Sequence, residues 1–349
     1  MKFEEISSEE FREFAKNSPY KSFMQTPEIA KLREKSGWTA NYLAAKKDDK
    51  ILAATLVVSK PTFMKKLYFY APGGPIIDLE DTKLVNFFFN NLKEYAKKKN
   101  GYLLHIDPYY ELIERDRDGL PVEGGFNRQK ALKNLENLGF KEMKNASQPK
   151  YLFVTPIENR TEDQLMESFK RNTRNHIRKA EKMGVTVREL KREELSELKK
   201  ITESTSKRRD FTDKPLSYYE SMYDLFHDRG EVMFMVAEAD IEGKPTVLSA
   251  AMFMTYGAEV VYLFSGSDEK YMRDYNAQYL IQYEMLKFAA RNHFEIYNFY
   301  GINGLPDENS KDYGIYEFKK GFGGHVVELI GSFELSLSPL YSAYKKLRH

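Results

Sequence analysis

The order of predicted helices and strands constrains this chain most, because one series of elements occurs twice. In the first half, Ser7 and Glu10 make a capping box that opens a helix to about Asn17, and Thr26-Pro27 opens a second to about Glu34. Residue period then predicts strands at 41–47, 51–59 and 67–71, a helix at about 82–98, a strand at 102–106 and a helix at about 129–138. The second half opens with a strand at 151–155, a helix at about 162–182, a strand at 185–190 and helices at about 192–208 and 216–226. Strands at 231–238, 246–255 and 258–264 follow, then a helix at about 276–292, a strand at 296–299, a short helix near 313–320 and a strand at 325–335. In each half a helical pair leads into three strands, a helix, a strand and a helix. A chain of 349 residues has room for both, each with its own core.

This ααβββαβαβ order is that of the GNAT acyltransferases, occurring twice. The expected fold class is therefore α/β (α+β), with two GNAT-like domains, mixed sheets flanked by helices and no coiled-coil arm. By analogy of fold alone it suggests acyl transfer to an amine. An acetyl-CoA enzyme of this fold needs a glycine-rich turn whose backbone N–H groups hold the pyrophosphate. The two equivalent places read Ala71-Pro72-Gly73-Gly74-Pro75 and Ser265-Gly266-Ser267-Asp268-Glu269, and neither supplies the RxxGxG/A pattern. CoA is accordingly not expected, and no Walker loop or GxGxxG is present. Gly73 and Gly74 either let a ligand approach the backbone or only make a turn.

The helix near 162–182 carries a concentration of cations that the chain as a whole lacks. Residues 169–184 hold Lys170, Arg171, Arg174, Arg178, Lys179 and Lys182 against one Glu, in a protein with 54 basic and 52 acidic side chains. Leu165, Phe169, Thr173, Ile177 and Ala180 fall on one buried face, leaving Arg171, Arg174, Arg178 and Lys182 as a second stripe. Guanidinium forks suit phosphate oxygens, although a solvated face with cations near its C-terminus has the same pattern. Gly184 serves as the C-cap. A net charge of +2 argues against a general nucleic-acid coat and leaves room for one basic groove.

Absences narrow the chemistry further. With no cysteine, disulfides, thiolate zinc sites and a cysteine nucleophile are excluded, and six histidines without HxxxH or HxH spacing give no reason to expect a metal. The N-terminus has no apolar signal core, and no segment approaches 18 uninterrupted apolar residues. A cytoplasmic protein with no transmembrane segment is expected. The polar loop at 110–129 is too long for a simple connector, and reads as a lid or as a mobile or disordered surface loop.

Three segments together resemble the Fem-type (FemABX) aminoacyl-tRNA-dependent peptidyl transferases. They are the basic helix with RNxRNxIRKAEKxG, the Tyr70-Ala71-Pro72-Gly73-Gly74-Pro75-Ile76-Ile77-Asp78 loop, and Tyr316-Glu317-Phe318-Lys319-Lys320-Gly321-Phe322-Gly323-Gly324. The resemblance runs nearly end to end. It implies transfer of an amino acid from aminoacyl-tRNA to an amino group on a peptidoglycan precursor, building the interpeptide bridge, with tRNA as co-substrate and no metal or CoA. A precursor that is UDP-linked (UDP-MurNAc-pentapeptide) or lipid-linked implies work near, at most peripherally on, a membrane. The family's returning C-terminal tail implies one domain from 1–148 plus 333–349 and a second from 149–332.

The same resemblance assigns roles. Lys319 supplies a fixed cation to the oxyanion and departing ribose oxygen, Phe318 packs against the tRNA end, and Asp107 contacts substrate; an Asp before Pro108 also caps turns. Lys31, Arg33, Lys214 and Tyr218 match the family's precursor-binding sites, with lysine at 214 where some members have arginine. Tyr262 is a pocket aromatic or an ordinary core tyrosine. The six cations of the basic helix gain a polyanionic partner, either tRNA or the precursor diphosphate. Two other classes stay open: a GNAT-type N-acyltransferase using an acyl thioester, and a non-catalytic binder of tRNA or precursor.

Overall fold

The computed structural model describes residues 1–62, 65–144, 146, 148–209, 212–338 and 341. Residues 339, 340 and 342–349 of the expected tail lie outside the described residues. The chain divides into two compact units. The first comprises Met1–Arg115, Pro121–Lys150 and the chain from Val327 onward; the second comprises Asp116–Leu120 and Tyr151–Val326. The return to the first unit thus falls at Val327, ahead of 333, and part of the long loop belongs with the second unit.

In the first unit, β1 (Lys2–Glu5), α1 (Ser8–Asn17) and α2 (Pro27–Glu34) precede β2 (Thr39–Lys47), β3 (Lys50–Pro61) and β4 (Leu67–Ala71). Then come α3 (Thr82–Lys98), β5 (Gly101–Ile106), β6 (Glu111–Glu114), α4 (Gln129–Asn137) and β7 (Lys141–Glu142). The second unit begins with β8 (Tyr151–Pro156), α5 (Glu162–Ser168), α6 (Arg171–Lys182), β9 (Thr186–Glu189), α7 (Leu195–Arg209) and α8 (Leu216–Phe226). It continues with β10 (Val232–Ile241), β11 (Lys244–Tyr256), β12 (Glu259–Ser267), α9 (Glu269–Tyr275), α10 (Ala277–Arg291), β13 (Ile296–Ile302) and α11 (Tyr313–Lys320). The chain then passes through β14 (His325–Leu329) to β15 (Phe333–Ser336) in the first unit.

The first sheet has seven strands in the order β1-β2-β3-β4-β5-β15-β7, with β4 and β5 parallel from Leu67 to Ala71. Every residue of β5 is buried, and β4 and β15 pair along its two edges. Asp107 therefore emerges at the end of a central strand. Helix α3 packs Leu84, Val85, Phe88, Phe89, Leu92 and Ala96 into the same core as Leu43, Val57, Phe69, Leu104 and Ile106. Half of the loop at 110–129 is ordered by pairing: β6 lies antiparallel to β14 with Val327 opposite Glu114, and Ile113 bridges Asn127. The Arg115 Nε donates to Glu328 at 2.6 Å in the same region, with both side chains nearly buried. The single strand expected at 325–335 breaks at Gly331, whose φ of +94° turns the chain from β14 into β15.

In the second unit six strands run β8-β13-β12-β11-β10-β9. Helices α5, α6 and α10 supply Leu165, Ile177, Ala180, Leu280, Ile281 and Met285 to a core shared with Phe153, Phe253 and Phe299. The basic helix expected as one piece is two. Phe169 is extended, at φ −73° and ψ 148°, and its buried ring meets those of Tyr283 and Phe322 edge-on. Burying that ring takes the backbone out of helix. Among the described residues no helix is long and apolar enough to cross a membrane, and none forms a coiled-coil arm.

Candidate active site

The sheet of the second unit opens where its chemistry is concentrated. Strands β12 and β13 pair in parallel only from Glu259–Val261 against Ile296–Asn298, and then diverge. Beyond the split, β13 carries a bulge between Asn298 and Gly301 against β8, and Tyr300 sits at φ +62°. The irregularity aims two carbonyls at one side chain: Lys319 Nζ donates to Gly301 O at 2.6 Å and to Tyr300 O at 3.4 Å. Lys319 is only 6% exposed and has no carboxylate partner among the described residues. Burial of its ammonium pushes the pKa down to about 7.

Lys319 is seated by the glycines that follow it. A Cβ on Gly321 would lie 2.3 Å from Thr173 Oγ1, and one on Gly324, at φ +96°, would lie 2.0 Å from Val154 O. Only glycine lets this segment press against α6 and β8. Gly321 O accepts from Lys170 N–H at 2.8 Å, and Gly323 O from Thr155 Oγ1 at 3.1 Å. Phe318 is half-buried, edge-on to Tyr279 at 4.9 Å and Phe322 at 5.4 Å.

The six cations of the basic stretch divide into two groups. Lys170 pairs with Glu317 at 2.8 Å, and Lys179 donates to Arg273 O at 3.1 Å. Arg174 Nη1 donates to Glu167 O and Phe169 O, both at 2.9 Å, so its guanidinium satisfies carbonyls freed by the helix break. Arg171, Arg178 and Lys182 are exposed and have no ion-pair partner among the described residues. Their i, i+7, i+11 spacing aligns them along the face opposite the buried Thr173, Ile177 and Ala180.

Lys214 is exposed, with Nζ 5.5 Å from the ring centre of half-buried Tyr218. The loop holding it is anchored by Asp213, which accepts from Lys199 at 2.6 Å, Tyr219 at 2.8 Å, Thr202 at 2.9 Å and the Lys214 N–H at 2.8 Å. Burial raises the Asp213 pKa, but these donors outweigh it and hold it below the usual carboxylate range. Tyr262, just past the β12–β13 split, donates to Ser265 and lies 6.3 Å from Phe299; burial pushes its phenol up to about 12.

In the first unit, Arg33, Gly73 and Asp107 come together around Tyr70. Asp107 Oδ2 accepts from Tyr70 OH at 2.6 Å and Oδ1 accepts from Gly73 N–H. Burial raises the carboxyl to about 7 against the opposing effect of those bonds and of Arg33. The Arg33 guanidinium lies 5.7 Å from the Tyr70 ring and 5.9 Å from Trp38, and forms no direct ion pair among the described residues. Lys31, on the same helix, is exposed and apart from this group. Gly73 and Gly74 are required by packing: a Cβ on Gly73 would lie 2.6 Å from Ser22 Oγ, and one on Gly74 2.5 Å from the Gln25 amide. That amide donates to Leu56 O and Pro72 O and accepts from Leu56 N–H, binding the loop to β3.

Gln25, Trp38, Asp213 and Glu317 thus shape these groups without having been expected from the sequence. For Glu317 the adjoining Phe318-Lys319 motif was a signal, and for Asp213 its place beside Lys214. Nothing in the spacing of Gln25 or Trp38 marks them. Among the described residues no cluster of His, Asp and Glu could hold a metal ion.

Known proteins share this architecture throughout. "Aminoacyltransferase FemA" of Staphylococcus aureus (strain bovine RF122 / ET3-1) is 28% identical over 415 aligned positions, covering 100% of this chain and 98% of its own. That alignment is longer than the 349 residues here, so the relative carries insertions. The crystal structure of FemX superposes with a TM-score of 0.84 at 25% identity, over 98% of this chain and 99% of its own. A tandem GNAT protein from the clavulanic acid biosynthesis pathway shares the fold, with a TM-score of 0.58 at 8% identity over 97% and 99% of the two chains. The FemAB family model matches residues 6–244 and 241–349. From the first helix to the last residues, this chain belongs to the FemAB family.

Proposed function

We propose that this protein is an aminoacyltransferase that moves an amino acid from aminoacyl-tRNA to an amino group on the stem peptide of a peptidoglycan precursor, building the interpeptide bridge. The observation that carries the chemistry is Lys319: a buried ammonium at the sheet opening, held by two carbonyls and, among the described residues, by no carboxylate. Family membership over the whole chain and the activity named for the S. aureus relative support it.

In the reaction the acceptor amine attacks the ester carbonyl carbon, a C–N bond forms, and the carbonyl oxygen takes negative charge. The bond to the ribose oxygen then breaks, the ribose oxygen gains a proton, and the amine loses one. Lys319 stabilises the charge on both oxygens, and with a pKa of about 7 it releases a proton readily to the departing ribose. Phe318 packs against the end of the carrier. Asp107 serves the precursor from the first unit. Arg171, Arg178 and Lys182 meet tRNA phosphates, while Lys31, Arg33, Lys214 and Tyr218 serve the precursor's diphosphate and sugar.

The scheme uses neither metal nor CoA. At the second-unit turn where a CoA pyrophosphate would need free backbone donors, Ser267 N–H is bonded to Thr205 Oγ1 and Asp268 N–H to Leu248 O. A Cβ on Gly266 there would lie 2.6 Å from Ile201 O, so helix α7 fills that space. The test is incubation with UDP-linked and lipid-linked muramyl pentapeptides and a tRNA pool charged with all amino acids, followed by mass analysis. A gain of one or more aminoacyl residues on either acceptor is expected; no gain on both would refute transfer.

A further inference from the structure

The tip of the polar 110–129 loop, which the reaction above does not use, rests on the helix that carries Lys319. This tip, Asp116–Leu120, belongs with the second unit. It is closed on itself: Asp116 Oδ1 accepts from the N–H groups of Asp118 and Leu120, both at 2.9 Å, and Asp116 N–H donates to Leu120 O at 2.8 Å. Asp116 O accepts from Val326 N–H at 3.1 Å, which ties the tip to β14.

Two residues of α11 one turn apart, Tyr316 and Lys320, hold the tip. Tyr316 is buried, and its OH donates to Arg117 O at 2.7 Å. Lys320 Nζ lies 5.1 Å from the Tyr316 ring centre and pairs with Asp118, whose carboxyl it holds below the usual carboxylate range. The tip also rests on the chain that joins β13 to α11: a Cβ on Gly119, at φ +80°, would lie 2.7 Å from Pro306 Cδ and 3.3 Å from Leu305 Cδ2. It thus touches both the helix that carries Lys319 and the connection from β13, whose carbonyls at Tyr300 and Gly301 receive the ammonium. Among the described residues the other carboxylate within reach of Lys320 is Glu317 at 3.6 Å, already the partner of Lys170 at 2.8 Å. Removing Asp118 therefore sets two lysines in competition for one carboxylate.

We propose that Asp118 is a positioning residue for the transfer reaction: through Lys320 it clamps α11 against the β13 connection and keeps the Lys319 ammonium on Gly301 O and Tyr300 O. The inference rests on Lys319 being the group that stabilises the charged oxygens. The Asp118 side chain is 52% exposed, so its ion pair adds little to global stability, whereas a displacement of about 1 Å at a reacting group costs roughly a hundredfold in rate. The rate, and not the stability, carries the signal.

The experiment measures steady-state transfer, with both substrates varied, and urea unfolding of full-length wild type, Asp118→Ala, Asp118→Glu, Lys320→Ala, the double variant Asp118→Ala/Lys320→Ala, and Lys319→Met. Asp118→Ala and Lys320→Ala should each lower kcat roughly tenfold, with KM for both substrates and the urea midpoint nearly unchanged. The double variant should be no slower than the slower single one, because both substitutions open one contact, and Asp118→Glu should recover most of the rate. An unchanged kcat in Asp118→Ala, losses that multiply in the double variant, or a fall in kcat matched by a fall in the urea midpoint would overturn the clamp. Failure of the underlying reading looks different: wild type would show no transfer, or Lys319→Met would transfer at a near wild-type rate.

Discussion

Replacing Lys319 with Met tests stability and chemistry in one protein. Methionine keeps the length of the side chain and removes the ammonium. A folded pKa of about 7 against an ordinary 10.5 corresponds to a burial cost for the charged form of up to roughly 5 kcal/mol. Between those two values the unfolded chain binds more protons at this site than the folded one, so wild-type stability rises with pH relative to the variant. Loss of the donor to Gly301 O and Tyr300 O costs the variant about 1–3 kcal/mol at every pH. The pH trend, not the absolute difference, is therefore the readout. Urea unfolding of both proteins at pH 6 and pH 9 should show the variant losing roughly 2–3 kcal/mol of relative stability over that interval. Transfer should fall about 10²–10³-fold, the usual effect of removing one oxyanion donor. A stability difference independent of pH would refute the perturbed ammonium, and near wild-type transfer would refute its role in the reaction.

Other perturbations reach other parts of the scheme. Arg171→Gln, Arg178→Gln and Lys182→Gln together should raise the KM for aminoacyl-tRNA and flatten its dependence on log salt by about two to three units; an unchanged slope would remove the phosphate role. Arg174→Gln should instead reduce stability, by about 1 kcal/mol in urea, because it uncaps Glu167 O and Phe169 O. Gly324→Ala should cost roughly 3–5 kcal/mol, combining a φ of +96° with a Cβ placed against Val154 O. For Asp107→Asn the sign is opposite to that at Lys319. A carboxyl raised to about 7 makes wild type lose stability, relative to the variant, as pH rises from about 4 to 7, which unfolding at those two values would show.

Elements governed by their own sequence were legible. Thr26 caps α2 through Ile29 N–H with Pro27 in its first turn, and Ser7 caps α1 through Glu10 N–H. Gly184 follows α6 at φ +74°. Each of these signals acts within a few residues, so no partner from elsewhere is needed to read it. The break at Phe169 was hidden for the converse reason. Phe169 has helical spacing to Thr173 and Ile177, and only the rings of Tyr283 and Phe322 draw it out of helix. Helix α9 was missed because Asn276, at φ +52°, reads as a helix start and also ends the helix before it.

By itself the sequence determined a doubled βαβ-rich order, the cation-rich helix and the Phe318-Lys319 pair, since period, caps and charge are local properties of the chain. Tertiary structure decided what those residues can do. It buried Lys319 among carbonyls at a split in the sheet, where desolvation lowers its pKa. It turned Arg174 and Lys170 inward to carbonyls and to Glu317, and left Arg171, Arg178 and Lys182 exposed with no ion-pair partner among the described residues. Charge can be counted along a chain, but desolvation and the choice of partner depend on segments far apart in sequence, and only folding brings them within a few ångströms.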